Sequence, residues 1–232
     1  MPATEYNTAQ IIDALQADPN LNKAELPALK ELSRKVSQRK FKKGEFIFKA
    51  GDESNNFCLV ESGKVILSKE SPSGKSFTYL VATRGMTLNG ITCFKPAPRI
   101  FSARVVEDSS IITIPCHEFK YWVENNPPVA MGILGTMGEL LDGAYTRIID
   151  LIDESVETRI LNVLSMLSTR IGSELPLTNE DLAGMVGTSR ESAARVISRL
   201  QDNGIVSKGR GSITVLDKEQ LDETVSSPFF II

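Results

Sequence analysis

Leu177-Thr-Asn-Glu-Asp-Leu-Ala-Gly-Met-Val-Gly-Thr-Ser-Arg-Glu-Ser-Ala-Ala-Arg-Val-Ile-Ser-Arg-Leu200 contains two helix starts with a glycine between them. Thr178 followed by Asp181 is a capping box that opens a helix over Glu180–Val186, after which Gly187 turns the chain. Thr188 followed by Glu191 reads as a second capping box, opening a helix that ends near Asn203 with Gly204 as its stop. Two capped helices joined at a glycine make a helix-turn-helix. On the second helix Val196, Ile197 and Leu200 form the inward stripe. Arg190, Glu191 and Arg195 crowd the outer side of the first turns, and Arg199 follows further along. A guanidinium matches the two acceptors on the major-groove edge of guanine, and a carboxylate accepts from the amino group of cytosine. Their place at the exposed N-terminal turns is the one a recognition helix requires.

On the C-terminal side, Ile205–Ser207 and Ser212–Leu216 read as strands around a Lys208-Gly-Arg210-Gly turn, a wing with a basic tip. On the N-terminal side, Ser155 can cap a helix running to about Thr169, with Val156, Ile160, Val163, Leu164 and Leu167 along one face. Residues 153–232 hold 8 basic and 12 acidic side chains, so this half is not basic as a whole. Thr188–Gly211 alone has five basic residues against two acidic ones, which concentrates positive charge on the helix and wing. Arg190, Glu191 and Arg195 are expected to read bases. Arg199, Lys208 and Arg210 are expected at phosphates, with Thr188 and Ser189 at the helix start.

Further out, Ala130, Leu134, Met137, Leu141, Ala144, Ile148 and Leu151 step alternately by four and three residues, a heptad seam held for three repeats. Gly132, Gly135, Gly138 and Gly143 each weaken such a helix by roughly 1 kcal/mol relative to Ala. The helix therefore needs a partner surface, either its own β domain or the same helix of a second chain. The strict alternation favours a second chain, with Leu134, Met137, Leu141, Ala144, Ile148 and Leu151 as the dimer contacts. From Phe41 to about Ile114 the segments Phe46–Phe48, Phe57–Val60, Val65–Ser68, Phe77–Val81 and Ile111–Ile114 read as strands. They are separated by turns at Gly44, Gly51, Gly63, Gly74 and Gly85, the cadence of an antiparallel roll or barrel. Thr8–Leu15 and Ala24–Ser37 read as short helices. Arg34–Lys43 carries six basic residues in ten, either a solvated face or an accessory contact with nucleic acid or protein.

The 232 residues suffice for two ordinary domains, and 41% hydrophobic with 24% charged residues is a globular composition. A net charge of −3 rules out a uniformly polycationic nucleic-acid binder. Cys58, Cys93 and Cys116 are odd in number and widely spaced, which argues against a disulfide framework, a zinc ribbon or a clustered iron–sulfur site. A single histidine, His117, excludes mechanisms and metal sites that need two. Nothing pairs a nucleophile with a base, so neither catalytic residues nor a metal site are expected. No apolar run is long enough for a bilayer, and the first twenty residues lack a secretory pattern, so a soluble cytoplasmic protein with no membrane partner is the expectation.

With these pieces in place the chain resembles the Crp/Fnr superfamily of transcription regulators. The resemblance rests on the β block with Gly44, Gly51 and Gly63, on the long helix, and most specifically on Leu177–Leu200. It implies an α+β architecture. An N-terminal antiparallel β-roll of the cupin-like cyclic-nucleotide-binding fold (1–127) senses an effector, a long dimerisation helix (128–152) follows, and a C-terminal winged helix-turn-helix (153–232) binds DNA. The cyclic-AMP-type branch carries Arg-Glu-x-x-x-Arg, matched by Arg190, Glu191 and Arg195, which implies a palindrome of TGTGA-type half-sites in double-stranded DNA, a homodimer, and RNA polymerase as partner.

The effector region departs from that pattern. Gly85-Met-Thr-Leu-Asn-Gly-Ile-Thr-Cys-Phe puts Asn89 and Gly90 where the cassette of cyclic-nucleotide receptors has Gly-Glu, and Phe101 and Ser102 where it has Arg-Ser. The ribose acceptor and the bidentate phosphate partner are thereby lost. Ala144 and Tyr145 stand where the cyclic-AMP receptor has its hydroxyl pair for adenine. Cyclic AMP is therefore not expected as effector. Asn89, Arg99, Ser102 and Tyr145 are the candidate contacts for an unidentified small molecule between the roll and the long helix. Its binding would reorient residues 153–232 through a Leu151–Ser155 hinge. The N-terminal cysteine cluster of the iron–sulfur branch is missing. A haem-based gas or redox sensor, with His117 or a cysteine on iron, remains an alternative. A ligand-binding module acting on a protein partner is another.

Overall fold

The structure is a computed structural model that describes residues 8–71, 76–88, 90–95 and 97–223; Gly74, Asn89 and the apolar C-terminal tail lie outside them. The chain forms two compact units, one of residues 1–67 with 81–137 and one of residues 68–80 with 138–232.

Along the chain, α1 (Thr8–Gln16), a 3-10 turn (Leu21–Lys23) and α2 (Leu26–Ser33) precede a sheet of β1 (Ser37–Phe41), β2 (Phe46–Phe48), β3 (Asn56–Glu70), β4 (Ser76–Ala82) and β5 (Ser102–Pro115), with residues 68–80 of β3 and β4 counted in the second unit. The order is β1-β5-β3-β4, with β2 also on β5. The helix read over Ala24–Ser37 is shorter than expected, and Ser37 begins a strand instead. Only Phe41 of Ser-Gln-Arg-Lys-Phe is buried, because β1 is an edge strand paired on one side, Ser37 opposite Thr113 and Phe41 opposite Ser109. Basic side chains suit such an edge because they discourage pairing with another chain. The turn read at Gly63 is also corrected, since β3 runs unbroken through it. Gly63 has φ +87, and a Cβ there would lie 2.3 Å from Ser109 Oγ and 2.5 Å from the Asp108 carbonyl on β5. The glycine marks a close approach inside the strand.

The core of the first unit joins α1 and α2 to the sheet and to α3 (Cys116–Glu124). Leu15, Leu29, Ile112 and Phe119 are fully enclosed. Phe119 stacks on Phe57 at 3.9 Å, and Trp122 Nε1 donates to the Ala28 carbonyl at 2.9 Å. The expectation against disulfides is corrected here: Cys93 and Cys116 are bonded, with Cα atoms 4.9 Å apart. Their 23-residue separation hides the pairing, because the chain leaves Cys93 and only the far end of β5 brings it back to Cys116.

Helix α4 (Pro127–Asp153) is one continuous element. Its start packs on its own unit. Val129 is enclosed, Ala130 and Ile133 join the core, and Thr136 Oγ1 accepts from Asn20 Nδ2 at 2.9 Å. A Cβ on Gly132 would meet Asn20 Oδ1 at 2.7 Å, so at least this glycine serves close packing. From Leu134 onward the stripe is open. Leu134, Leu141, Ile148 and Leu151 are 51–59% exposed.

The second unit continues with α5 (Val156–Ile171), β6 (Glu174–Leu175), α6 (Asn179–Val186), α7 (Arg190–Asp202), β7 (Val206–Gly209), β8 (Ser212–Val215) and α8 (Lys218–Glu223). The small sheet has the order β6-β8-β7. Ser155 Oγ accepts from the Thr158 amide at 3.1 Å, as its capping role requires. Among the described residues no helix is long and apolar enough to cross a membrane.

Candidate nucleic-acid interface

The Thr178 box forms as read: its hydroxyl accepts from the Asp181 amide at 3.1 Å, and the Asp181 carboxylate accepts from the Thr178 amide at 2.9 Å. Gly187 then takes a left-handed φ of +67. The second box is corrected by one residue. The N-cap of α7 is Ser189, whose hydroxyl accepts from the Ser192 amide at 3.1 Å. Thr188 still belongs to the end of α6, its amide donating to the Ala183 carbonyl at 3.0 Å. The left-handed glycine takes up one more residue than the sequence pattern assumes.

Ala193, Val196, Ile197 and Leu200 anchor α7 to its unit. Arg190, Glu191 and Arg195 stand exposed on the opposite side. Arg195 Nη2 donates to Ser192 Oγ at 3.1 Å, holding its guanidinium beside the first turn. The Glu191 carboxyl is held below the usual carboxylate range, first by its own backbone amide, then by the Ser189 hydroxyl, with Arg190 and Arg195 adding attraction. It is therefore an ionised, acceptor-only group at neutral pH. Lys208 and Arg210 are exposed at the wing, where Gly211 turns with φ +79 and Lys208 faces Ile213 across the ladder. Arg199 is engaged within the chain: its Nη2 lies 2.6 Å from Glu157 Oε2 of α5.

Two further arginines fix the helix-turn-helix, and the sequence reading missed both. Arg159 of α5 is buried and donates from Nε to the Val186 carbonyl at 2.9 Å, and from Nη1 to the Glu154 and Asp150 carbonyls at 2.6 and 3.4 Å. It thus closes the C-terminal ends of α6 and α4 together. Arg147 of α4 donates to the Met185 carbonyl at 2.7 Å and, at a long 3.5 Å, to the Thr78 carbonyl of β4, and its guanidinium lies over the Phe77 ring. The available signal was an arginine at an otherwise apolar position, which periodicity alone reads as surface.

Of the effector candidates, Asn89 lies outside the described residues. Arg99 is turned inward: Nη1 donates to Thr92 Oγ1 at 3.2 Å and to the Leu88 carbonyl at 3.3 Å, and Nη2 to the Asn56 carbonyl. Its guanidinium lies over the Phe48 ring at 4.1 Å, and burial lowers its pKa. Ser102 Oγ accepts from the Ala50 amide at 2.9 Å. Tyr145 is exposed on α4, in the other unit. His117 is open to solvent on the first turn of α3, and two of the three cysteines are bonded to each other. Among the described residues no group of three or more His, Cys, Asp or Glu side chains is placed to hold a metal ion.

Residues 158–224 match the Crp-like helix-turn-helix domain, and residues 38–126 match the cyclic nucleotide-binding domain. The chain is 22% identical over 202 residues to the CRP-like cAMP-activated global transcriptional regulator of Mycobacterium tuberculosis, covering 84% of this chain and 90% of that one. It is 27% identical over 187 residues to the cyclic AMP receptor protein of Thermus thermophilus, covering 80% and 87%. A solved structure described as a transcriptional regulator of the crp/fnr family from Eubacterium rectale superposes with a TM-score of 0.71 at 23% identity, covering 91% of this chain and all of the other. The β-rich N-terminal domain, the helices and the C-terminal helix-turn-helix are the architecture of those regulators. The exposed charged helix and the two family matches lead to one assignment: this chain belongs to the Crp/Fnr family of DNA-binding transcription regulators.

Proposed function

We propose that the protein is an effector-responsive homodimer that binds a palindromic, TGTGA-type site in double-stranded DNA, with residues 1–127 sensing, 128–152 pairing and 153–232 reading DNA. The observation that carries this reading is α7, which presents Arg190, Glu191 and Arg195 together on its free first turns while its opposite side is buried. Arg190 and Arg195 each read a guanine, and Glu191 accepts from a cytosine amino group. Lys208 and Arg210 hold phosphates, joined by Arg199 once DNA competes it away from Glu157. The pairing surface is the open stripe of Leu134, Met137, Leu141, Ala144, Ile148 and Leu151. In support, Leu134, Leu141, Ile148 and Leu151 are half exposed or more although they follow a heptad.

Cyclic AMP is not the effector in this proposal. At or near the phosphate-binding positions, Ser102 Oγ accepts from a backbone amide and both Nη groups of Arg99 are turned to oxygens of the chain itself. RNA polymerase is the expected partner at promoters, and the protein acts in the cytoplasm. The test is selection from randomised duplexes. The expected outcome is a two-fold symmetric consensus with half-site centres about 34–36 Å apart. An unchanged consensus after Arg190, Glu191 and Arg195 are all replaced by Ala would refute the reading.

A further inference from the structure

The disulfide between Cys93 and Cys116 ties the 3-10 turn Gly90–Cys93 to the first residue of α3. Both residues are partly open to solvent. Thr92 Oγ1 pairs with Ser54 Oγ at 2.5 Å and accepts from Arg99 Nη1 at 3.2 Å. Beyond the bond, the Cys116 amide donates to the Asn55 carbonyl at 2.8 Å, and the Phe94 ring meets Phe119 edge-on at 6.0 Å. The covalent link therefore joins elements that already meet around Ser54–Asn56, Thr92 and Arg99. A unit with this large an apolar core does not need a disulfide to fold, unlike a small disulfide-dependent domain. Cys58 is buried next to Arg99, and burial raises its thiol pKa despite that charge, so it is a poor nucleophile for shuffling the bond.

We propose that Cys93 and Cys116 form a reversible thiol–disulfide exchange site, with small thiols and their disulfides as co-reactants, whose redox state sets how firmly the Gly90–Cys93 turn is held. In reduction, the thiolate of a dithiol attacks one of the two sulfurs, and the other leaves as a thiolate and is protonated. The second thiol of the reductant resolves the mixed disulfide. Two electrons and two protons pass to the cysteines, and the reductant becomes a disulfide. Oxidation is the reverse, with a small-molecule disulfide such as oxidised glutathione taking the electrons. In the reduced form the turn keeps Ser54 and Arg99 but loses its covalent tie to α3. This goes beyond the DNA reading and is measured on the protein alone.

The full-length protein is equilibrated in mixtures of reduced and oxidised glutathione or dithiothreitol, then quenched, unfolded, alkylated and weighed. The expected result is a reversible conversion between one free thiol (Cys58) and three, at reagent ratios that leave the fold intact. Amides of residues 90–95 should exchange roughly tenfold faster in the reduced form. Cys93→Ser and Cys116→Ser should each show the fast exchange under both conditions. A bond that yields only when the protein is unfolded, a pair that oxidised glutathione never joins, or a turn whose exchange ignores the redox state would each overturn the proposal.

Discussion

Replacing Arg159 by Met tests how the helix-turn-helix is held. Met keeps much of the apolar stem but removes every donor, leaving the Val186 and Glu154 carbonyls without the 2.9 and 2.6 Å bonds that now satisfy them. Hydrogen bonds from a charged donor contribute about 1.5–3 kcal/mol each, and unpaired carbonyls at a site as buried as Arg159 carry a desolvation penalty. The third bond, at 3.4 Å, adds little. The expected loss is about 3–5 kcal/mol, from the two short bonds together. For a unit of this size that is a drop of the order of 12–40 °C in the melting transition. Arg159→Lys, which can reach one carbonyl but not both helix ends, should lose about half as much. Calorimetry of the full chain, reading the transition assigned to the C-terminal unit, decides between these values. A Met variant melting within about 3 °C of the parent would refute the reasoning, because the carbonyls would then have found water or another donor.

Four other outcomes are expected. Leu141→Asp should turn a dimer into monomers in sedimentation and abolish palindrome binding; a dimer with normal affinity would place the pairing surface elsewhere. Arg195→Ala should cost about 1–3 kcal/mol and relax preference at one base pair per half-site, whereas Lys208→Ala should weaken all duplexes alike and flatten the salt slope. Glu157→Gln should release Arg199 and raise affinity for non-specific duplex at low salt, an increase that vanishes at high salt. Cyclic AMP should leave operator affinity unchanged in a fluorescence titration, and any shift would restore the effector class set aside above.

The parts legible in the sequence were those decided within four residues. The Thr178 box, the Ser155 cap and the Gly187 turn use side chains adjacent to the backbone groups they satisfy, so spacing alone identifies them. The second cap slipped to Ser189 because both Thr188 and Ser189 can cap, and the choice depends on how the Gly187 turn closes. β1 was hidden because an edge strand of mostly exposed residues carries no apolar alternation. Gly63 looked like a turn because a glycine facing Ser109 on another strand has the same local signature as one that reverses the chain. The Cys93–Cys116 bond and the Arg159 bonds to Val186 join residues 23 and 27 positions apart. No periodicity reaches that far. For Arg99, sequence position alone leaves the direction of the guanidinium open, and only the fold shows it directed at the Leu88, Thr92 and Asn56 oxygens.

Arg147 ties α4 to the end of α6. A side-chain tip on a helix lies about 5–6 Å from the axis, so a twist of about 10° carries it through about 1 Å. That is enough to turn the 2.7 Å bond to the Met185 carbonyl into a contact too long to count, while the 3.5 Å approach to the Thr78 carbonyl closes or opens by the same amount. A twist of the long helix thus bears directly on the hold that this one guanidinium has on the end of α6. The end of α6 that it holds is the one from which the chain turns at Gly187 into α7.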